Sequence, residues 1–374
     1  MRKIFFVIPA LAGGGAERVI LYIMRHIDRS KFRPHLILFE RNGEFLTDIP
    51  SDISVKALMD NQSRYVSKYF VFISLAKLLK KERPDVVVSF MWYTNLVTVL
   101  ARFLSKVKCS IIVSERTSMI PYENWFIKLL RNFTIRFLYP KATEIIVNSK
   151  SMGLILSKIS TISANKIAII HNPTDIRKIN HMSVEDVNHP WYQENIPIII
   201  AVGRLSLEKG FSYLIRAFRI IAAEGISCRL VILGEGAEKE RLRKLVVELD
   251  IDDKVAFLGF QKNPYKYVAN STLFVLSSLY EGFPNVLLEA LALGVPSVAT
   301  RCPTGPEEII SDGVNGLLVP PADEKSLAEA IKRLLTDEAL RKRLGEAGKK
   351  RAEDFRVEKI IKEYEAVIEG VCAE

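Results

Sequence analysis

A chain of 374 residues is longer than one hydrophobic core ordinarily fills, so two domains of ordinary size are expected. Its apolar content of 49% and mean hydropathy of +0.14 are those of a globular chain with large cores, and no run reaches the roughly 18–20 apolar residues of a membrane span. The net charge of +10 is uneven: residues 1–190 carry 28 Lys+Arg against 15 Asp+Glu, while residues 191–374 carry 25 against 28. A basic half points to a polyanionic partner, namely nucleic acid, an anionic membrane or a phosphorylated substrate, unless it is only a solvated surface. The four cysteines, Cys109, Cys228, Cys302 and Cys372, are far apart and form no C-x-x-C, so they read as free thiols of a reducing cytoplasm with no zinc site.

The first element is "KIFFVIP", a nearly continuous apolar run suited to a parallel strand buried on both faces. It is not read as a secretion signal, because the run is short and passes into a glycine loop and a helix. Three glycines open the helix "GGGAERVILYIMRHI". Then "PHLILFE" reads as a strand, "VFISLAKLLKKE" as a helix, "PDVVVSF" and "CSIIVSER" as strands, and "NWFIKLLRNFTIRFLY" as a helix. "ATEIIVNS", "SMGLILSKIS" and "KIAIIHNP" complete a strand, helix, strand series. A polar segment, "NHMSVEDVNHPWYQENIP" (180–197), reads as a linker. A second series follows: "IIIAVGRL", "GFSYLIRAFRIIAAEG", "CRLVILGEG", "EKERLRKLVVELD", "VAFLGF", "NPYKYVANS", "LFVLSS", "FPNVLLEALALG", "PSVAT", "GPEEIIS" and "NGLLVP" alternate strand with helix, and the remainder is helical. Two such alternations predict two doubly wound parallel sheets, whose ligands sit beyond the carboxyl ends of the strands.

Three places carry chemistry. In "PALAGGGAER", Gly13, Gly14 and Gly15 stand between strand and helix, where bare backbone can approach a phosphate, although a purely structural turn has the same look. Neither G-x-G-x-x-G nor a P-loop is present, which disfavours a nicotinamide dehydrogenase. In "VGRLSLEKGF", Arg204 and Lys209 follow a buried strand; two cations there suit a diphosphate and the charge that grows on it as it leaves. In "YEGFPNVLLEALALGVPSVAT", Glu281 stands at the mouth of a helix and Glu289 lies eight residues on. A helix N-terminus attracts anions, yet two carboxylates would repel a phosphate. They suit hydroxyls instead, so amides from Gly282 to Val286 with flanking carboxylates fit a ligand of phosphates and sugars: a nucleotide-sugar.

Together "GGGAERV", "VGRLSLEKGF", "LGEG", "FLGF", "SSLYEGFPNVLLEALALGVPSVAT" and "DGVNGLLVP" resemble the retaining glycosyltransferases of family 4, from about residue 3 to about residue 335. "CPTGPEEII" and "SER" resemble the members that build polysaccharides or lipid-linked oligosaccharides at the inner face of a membrane. The resemblance implies the α/β fold called GT-B, two Rossmann-like doubly wound parallel-sheet domains facing across a cleft. It implies an acceptor-binding domain at 1–185, a donor-binding domain at 186–355, and a helix at 356–374 returning to the first domain. It implies that Gly14 and Gly15 face the donor diphosphate, that Arg204 and Lys209 stabilise the leaving phosphates, and that Glu289 holds the ribose. Glu281, Gly282, Phe283, Asn285 and the backbone at Pro284 would hold the transferred sugar, with Val286 beside the phosphates; Gly234, Gly236, Gly259 and Phe260 would frame the base. Where many relatives place a histidine this chain has Glu115, which either orients a sugar or pairs with Arg116.

The implied reaction moves a hexosyl or N-acetylhexosaminyl unit, with retention, from a UDP-linked donor to a glycan acceptor of the polyprenyl-diphosphate type. No metal and no other cofactor is expected, since Arg204 and Lys209 supply the positive charge and no D-x-D pair occurs. The helix holding Trp125, Phe126, Leu129, Leu130, Phe133 and Phe137 among Lys128, Arg131 and Arg136 is either a membrane-surface element or an ordinary core helix with a basic outer side. The expected place is cytoplasmic, peripheral at the membrane's inner face, with no nucleic acid partner. A sugar-nucleotide epimerase of the same shape is the second enzyme reading. A non-catalytic binder of anionic membrane or nucleic acid is the third, and leaves Arg204, Lys209, Glu281 and Glu289 unexplained.

Overall fold

The computed structural model describes all residues except 60–70, 117–124, 161 and 374, and divides the chain into two compact units. Unit 1 is residues 1–173 with 357–374; unit 2 is residues 174–356.

In unit 1 the described elements run β1 (Arg2–Ile8), α1 (Gly15–His26), β2 (Phe32–Leu38), β3 (Ser54–Ala57), α2 (Val71–Glu82), β4 (Val86–Phe90), α3 (Trp92–Ser105), β5 (Ser110–Glu115), α4 (Trp125–Phe133), β6 (Glu144–Val147), α5 (Lys150–Ile159) and β7 (Ile167–Ile169). The strands form one parallel sheet in the order β3-β2-β1-β4-β5-β6-β7. Strand periodicity sends alternate side chains to opposite faces. Ile4, Phe6 and Ile8 enter one core with α1, and Phe5 and Val7 enter the other with α2 and α5. This two-sided burial is why "KIFFVI" has no polar alternation.

In unit 2 the elements are α6 (Ile176–Ser183), β8 (Ile198–Val202), α7 (Phe211–Ala223), β9 (Arg229–Leu233), α8 (Lys239–Glu248), β10 (Val255–Gly259), α9 (Tyr265–Ala269), β11 (Leu273–Leu276), α10 (Asn285–Ala292), β12 (Ser297–Thr300), α11 (Pro306–Ile309), β13 (Leu317–Val319), α12 (Glu324–Thr336) and α13 (Glu338–Ala352). Its sheet is also parallel, ordered β10-β9-β8-β11-β12-β13. Ile199 and Ala201 point to one core, Ile198 and Ile200 to the other. The last helix, α14 (Val357–Ala373), belongs to unit 1: Val357, Ile360, Ile361, Tyr364, Ile368 and Val371 recur at helical spacing and join the core of β1 and α1. Ser110 Oγ donates to the Val371 carbonyl at 2.8 Å, and Glu365 Oε1 accepts from the Asp28 backbone at 2.7 Å.

Two expectations need correction. The boundary lies at 173/174 rather than 185/186, and 180–197 is no linker. Residues 176–183 form α6, capped by Asp175, and bury Ile179 with Val187, Trp191 and Tyr192 in a core of unit 2. Only residues 180–183 of that segment belong to α6; beyond them Val187 is buried and Trp191 and Tyr192 are partly buried against the same core.

Candidate active site

In unit 2 the charged residues expected at the strand ends are brought together by three loops. The first, 203–210, leaves β8. Gly203 N donates to the Leu233 carbonyl at 3.0 Å and Leu205 N to the Glu235 carbonyl at 2.9 Å, extending the β8–β9 pairing past the strands. The loop then crosses the end of β11: Ser277 Oγ donates to the Lys209 carbonyl at 2.9 Å, and Leu279 N to the Glu208 carbonyl at 2.8 Å. Gly210 turns the chain into α7 at φ +62°, and a Cβ there would lie 2.1 Å from the Ser277 carbonyl oxygen. That close approach fixes where Lys209 starts. Lys209 Nζ lies 2.7 Å from Glu281 Oε1, with the carboxylate side chain 9% exposed and the lysine 23%. Ser278 Oγ donates to the same oxygen at 2.6 Å. Arg204, at the loop's start, is exposed.

The second loop, 277–284, carries Glu281 and leads into α10. The third, 301–305, braces it. Glu281 N donates to the Pro303 carbonyl at 2.9 Å, Thr304 N donates back to the Glu281 carbonyl at 2.8 Å, and Thr304 Oγ1 reaches the carbonyls of Glu281 and Gly282, each at 2.9 Å. Thr300 Oγ1 also donates to the Ser278 carbonyl. Pro284 stands at the N-cap of α10 without a capping side chain, so the first-turn amides of Asn285 and Val286 have no helical carbonyl behind them. Phe283 is buried against Phe355 at 5.5 Å between ring centroids. Glu289, on the second turn, is buried. A buried carboxylate inside an apolar helix is costly unless polar partners serve it. The Cys302 thiol beside this cluster is pushed up to about 12, first by burial and then by the Glu281 charge, so it stays protonated.

Gly234, Gly236, Gly259 and Phe260 lie at the ends of β9 and β10. Gly234, at φ +139°, brings its Cα so close to the Gly203 carbonyl that a Cβ would meet it at 1.9 Å. Gly236 is packed as tightly on the Leu205 carbonyl, and Phe260 is 49% exposed. The same end of the sheet therefore collects Arg204, Lys209, the three glycines, Phe260, Glu281 and the start of α10.

In unit 1, Gly14 is the N-cap of α1, and Glu17 of the first turn folds back toward it: a Cβ at Gly14 would lie 2.5 Å from Glu17 Oε2. Glu115 ends β5 and is 2% exposed. Tyr139 Oη donates to its Oε2 at 2.5 Å, and the Arg116 backbone donates to its Oε1 at 3.2 Å. Asn95 Nδ2 donates to Tyr139 Oη at 2.9 Å, and Ser89 Oγ to Asn95 Oδ1 at 2.8 Å. Burial, then the Glu115 charge, holds the Tyr139 phenol well above its ordinary range, so it donates at any working pH. The Arg116 guanidinium is spent elsewhere: on Ser114 Oγ at 3.1 Å, on Asn172 Oδ1 at 2.6 Å, on Tyr364 Oη, and on the Phe90 face at 5.1 Å. Sequence reading missed Ser278, Thr304, Tyr139 and Asn95. Only Ser278, three residues before Glu281 in "SSLYEG", carried a local signal. The others arrive through the fold from 23 to 44 residues away. Among the described residues no group of three or more His, Cys, Asp or Glu could hold a metal ion, and no helix is long and apolar enough to cross a membrane.

This geometry has relatives. The family model described as "Glycosyltransferase Family 4" matches residues 13–178, and "Glycosyl transferases group 1" matches residues 188–351. The chain is 34% identical over 326 residues to a Campylobacter jejuni protein, N-acetylgalactosamine-N,N'-diacetylbacillosaminyl-diphospho-undecaprenol 4-alpha-N-acetylgalactosaminyltransferase, covering 85% of this chain and 86% of that one. It is 27% identical over 380 residues to a second protein of that organism, an alpha-1,4-N-acetyl-D-galactosaminyltransferase whose name includes a PP-undecaprenol-linked glycan, with 99% of each chain covered. In structure it is similar to Anabaena Alr3699/HepE, solved in complex with UDP and glucose, at a TM-score of 0.85 and 21% identity, over 99% of this chain and all of that one. The two parallel-sheet Rossmann-like units are those of the GT-B fold, and the chain belongs to the glycosyltransferases of the family 4 and group 1 type.

Proposed function

We propose that this glycosyltransferase moves a hexosyl or N-acetylhexosaminyl unit, with retention, from a UDP-sugar to the sugar end of a polyprenyl-diphosphate-linked glycan. The observation that carries the reading is the Lys209–Glu281 pair at the mouth of α10, with Glu289 buried one turn inside. A cation for phosphate, a braced carboxylate for hydroxyls and a helix start for oxygen-rich groups are what a nucleotide-sugar requires. The undecaprenol-diphosphate acceptors in the relatives' names support the acceptor class, and the UDP complex of the structural neighbour supports the donor.

In this reading Arg204 and Lys209 take the diphosphate, Glu289 the ribose hydroxyls, and Glu281 the hydroxyls of the transferred sugar. Glu281 already has Ser278 and Lys209 on one oxygen, so its orientation is set before the sugar arrives. The bond from the anomeric carbon to the diphosphate oxygen breaks, and charge grows on that oxygen. Lys209, Arg204 and the α10 amides stabilise it. The acceptor hydroxyl bonds to the same face of the sugar and passes its proton to the departing phosphate. The cations do this work without a bound metal. Glu115, buried and held by Tyr139 in unit 1, fixes the end of β5 and touches no reacting atom. Radiolabelled nucleotide-sugars presented with a polyprenyl-diphosphate-sugar acceptor test the proposal. Acceptor-dependent transfer from one donor, unaffected by EDTA, is expected. Donor consumption without an acceptor, or none with any donor, contradicts it.

A further inference from the structure

Each sheet has one place where its strand order reverses, and at such a switch point the loops after two neighbouring strands part and leave room for a ligand. In unit 2 that place lies between β8 and β11, whose loops carry Lys209 and Glu281. In unit 1 the order β3-β2-β1-β4-β5-β6-β7 puts it between β1 and β4. The segments leaving those two strands are 9–14 and Met91 with the start of α3. The side chains that come forward there are aromatic. Tyr93 is 36% exposed and Trp92 partly exposed, with ring centroids 5.8 Å apart, and Tyr93 meets Phe39, just past β2, at 6.0 Å. Phe39 N donates to the Pro9 carbonyl at 3.0 Å, which ties this aromatic group to the loop after β1. Carboxylates flank that loop: a Cβ at Gly13 would lie 3.8 Å from Glu44 Oε2, and Glu17 Oε2 folds against Gly14.

The aromatic pair has a rigid base. Met91 takes φ +75°, a left-handed value uncommon without glycine, and so starts α3 directly at the end of β4. Met91 N donates to the Ser114 carbonyl at 3.1 Å, Asn95 N to the Met91 carbonyl at 2.9 Å, and Asn95 Nδ2 to the Ser114 carbonyl at 3.2 Å. The buried network of Ser89, Asn95, Tyr139 and Glu115 thereby fixes the first turn of α3, which carries Trp92 and Tyr93. No side chain caps α3, so its first amides have no helical carbonyl behind them.

We propose that Trp92 and Tyr93 are the platform that holds the terminal sugar ring of the acceptor glycan and sets which acceptor is used. The C–H face of a pyranose is apolar and stacks on an aromatic ring, while hydroxyls at its edge bond to carboxylates and amides. Aromatic faces and carboxylates both carry negative potential, so they favour a neutral sugar over a phosphate. The Arg18 guanidinium is turned onto the Phe45 ring, 5.8 Å from its centroid. The proposal rests on the transferase reading and deepens it by assigning the acceptor's sugar to named side chains of unit 1.

Two measurements on the full chain test it. In transfer from the radiolabelled donor to a polyprenyl-diphosphate-sugar acceptor, Trp92→Ala and Tyr93→Ala should each raise the acceptor KM about tenfold, with the donor KM and the affinity for UDP unchanged. Trp92→Phe should recover most of that loss. Binding alone is read from fluorescence. The other two tryptophans lie elsewhere, Trp125 on the outward side of α4 at 74% exposed and Trp191 against a core of unit 2. Trp125→Phe/Trp191→Phe therefore leaves Trp92 as the single reporter. Its emission should change on titration with methyl hexosides and methyl N-acetylhexosaminides, and adding Tyr93→Ala should weaken that binding about tenfold. An unchanged acceptor KM in both alanine variants overturns the proposal. So does a donor KM raised by the same factor, or an emission that no sugar of the panel moves. Inactivity of wild type with every donor would instead defeat the transferase reading, while the sugar titration, which needs no donor, still reports on the platform.

Discussion

The two units use the same sheet architecture to opposite ends at their strand termini. In unit 2 the loops after β8 and β11 present charge: Lys209 and Glu281 meet at 2.7 Å and Arg204 stays exposed. In unit 1 the ends of β4 and β5 bury their polar groups: Ser89, Ser114, Glu115 and Arg116 are all under a tenth exposed and satisfy one another through Tyr139, Asn95, Asn172 and Tyr364. The surfaces differ as well: unit 1 carries a net charge of +11 and, among the described residues, most of the exposed aromatics, and unit 2 is at −1. In the proposed reading the charged strand ends of unit 2 serve the phosphorylated donor, while the buried polar network of unit 1 gives its strand ends a rigid frame.

The largest effect is expected at Lys209. Lys209→Ala removes the cation from the mouth of α10 and leaves Glu281 buried without its ion pair, so kcat/KM for transfer should fall about 10²–10³-fold, roughly 3–4 kcal/mol in the transition state. A loss confined to stability, with turnover per folded molecule unchanged, would make the pair structural. Next is Tyr139→Phe in unit 1, which strips Glu115 of a charged hydrogen bond at full burial. A loss of about 1.5–3 kcal/mol in urea unfolding is expected, with donor affinity unchanged. A large donor effect instead would mean that unit 1's buried network serves the donor directly. Glu289→Gln keeps size and one acceptor oxygen, and should weaken nucleoside diphosphate and donor about tenfold, near 1.4 kcal/mol, with little change in stability.

A smaller effect sharpens the contrast through pH. His35, buried on β2 against Phe5, has its protonation pushed down, first by burial and then by Lys3. The unfolded state takes a proton near its ordinary pKa of about 6.5 that the native state refuses. Its contribution is therefore full above that value and declines as pH falls through the native one. Equilibrium unfolding between neutral and mildly acidic pH should show this slope in the wild type, and His35→Leu should flatten it.

How much was legible follows from how local each signal was. The strand–helix alternation, α10 and the E-x7-E spacing were readable because strand runs buried on both faces, glycine turns and paired acids announce themselves in short windows. Two elements were passed over. β3 is a half-exposed edge strand, Ser54–Ala57, with too little apolar pattern to stand out. α3 (Trp92–Ser105) is rich in Thr and Val, and turns out of β4 at Met91 with φ +75° where no glycine marks the turn. The last four residues of α6 open the polar segment 180–197, whose few apolar residues, Val187, Trp191 and Tyr192, find their core only through tertiary packing. Glu115 was visible, but its partner Tyr139 was not, since that pairing is made by the fold alone. The outward aromatics of α4 were visible as composition, while their direction was not.

In the proposed reading the strand ends of unit 2 hold the nucleoside diphosphate of the donor. Calorimetric titration of UDP into the wild type and Lys209→Ala tests it most directly. Micromolar binding, weakened about 10–100-fold in the variant, is the predicted result. Absence of binding by any nucleoside diphosphate at millimolar concentration, or equal affinity in the two proteins, would contradict it.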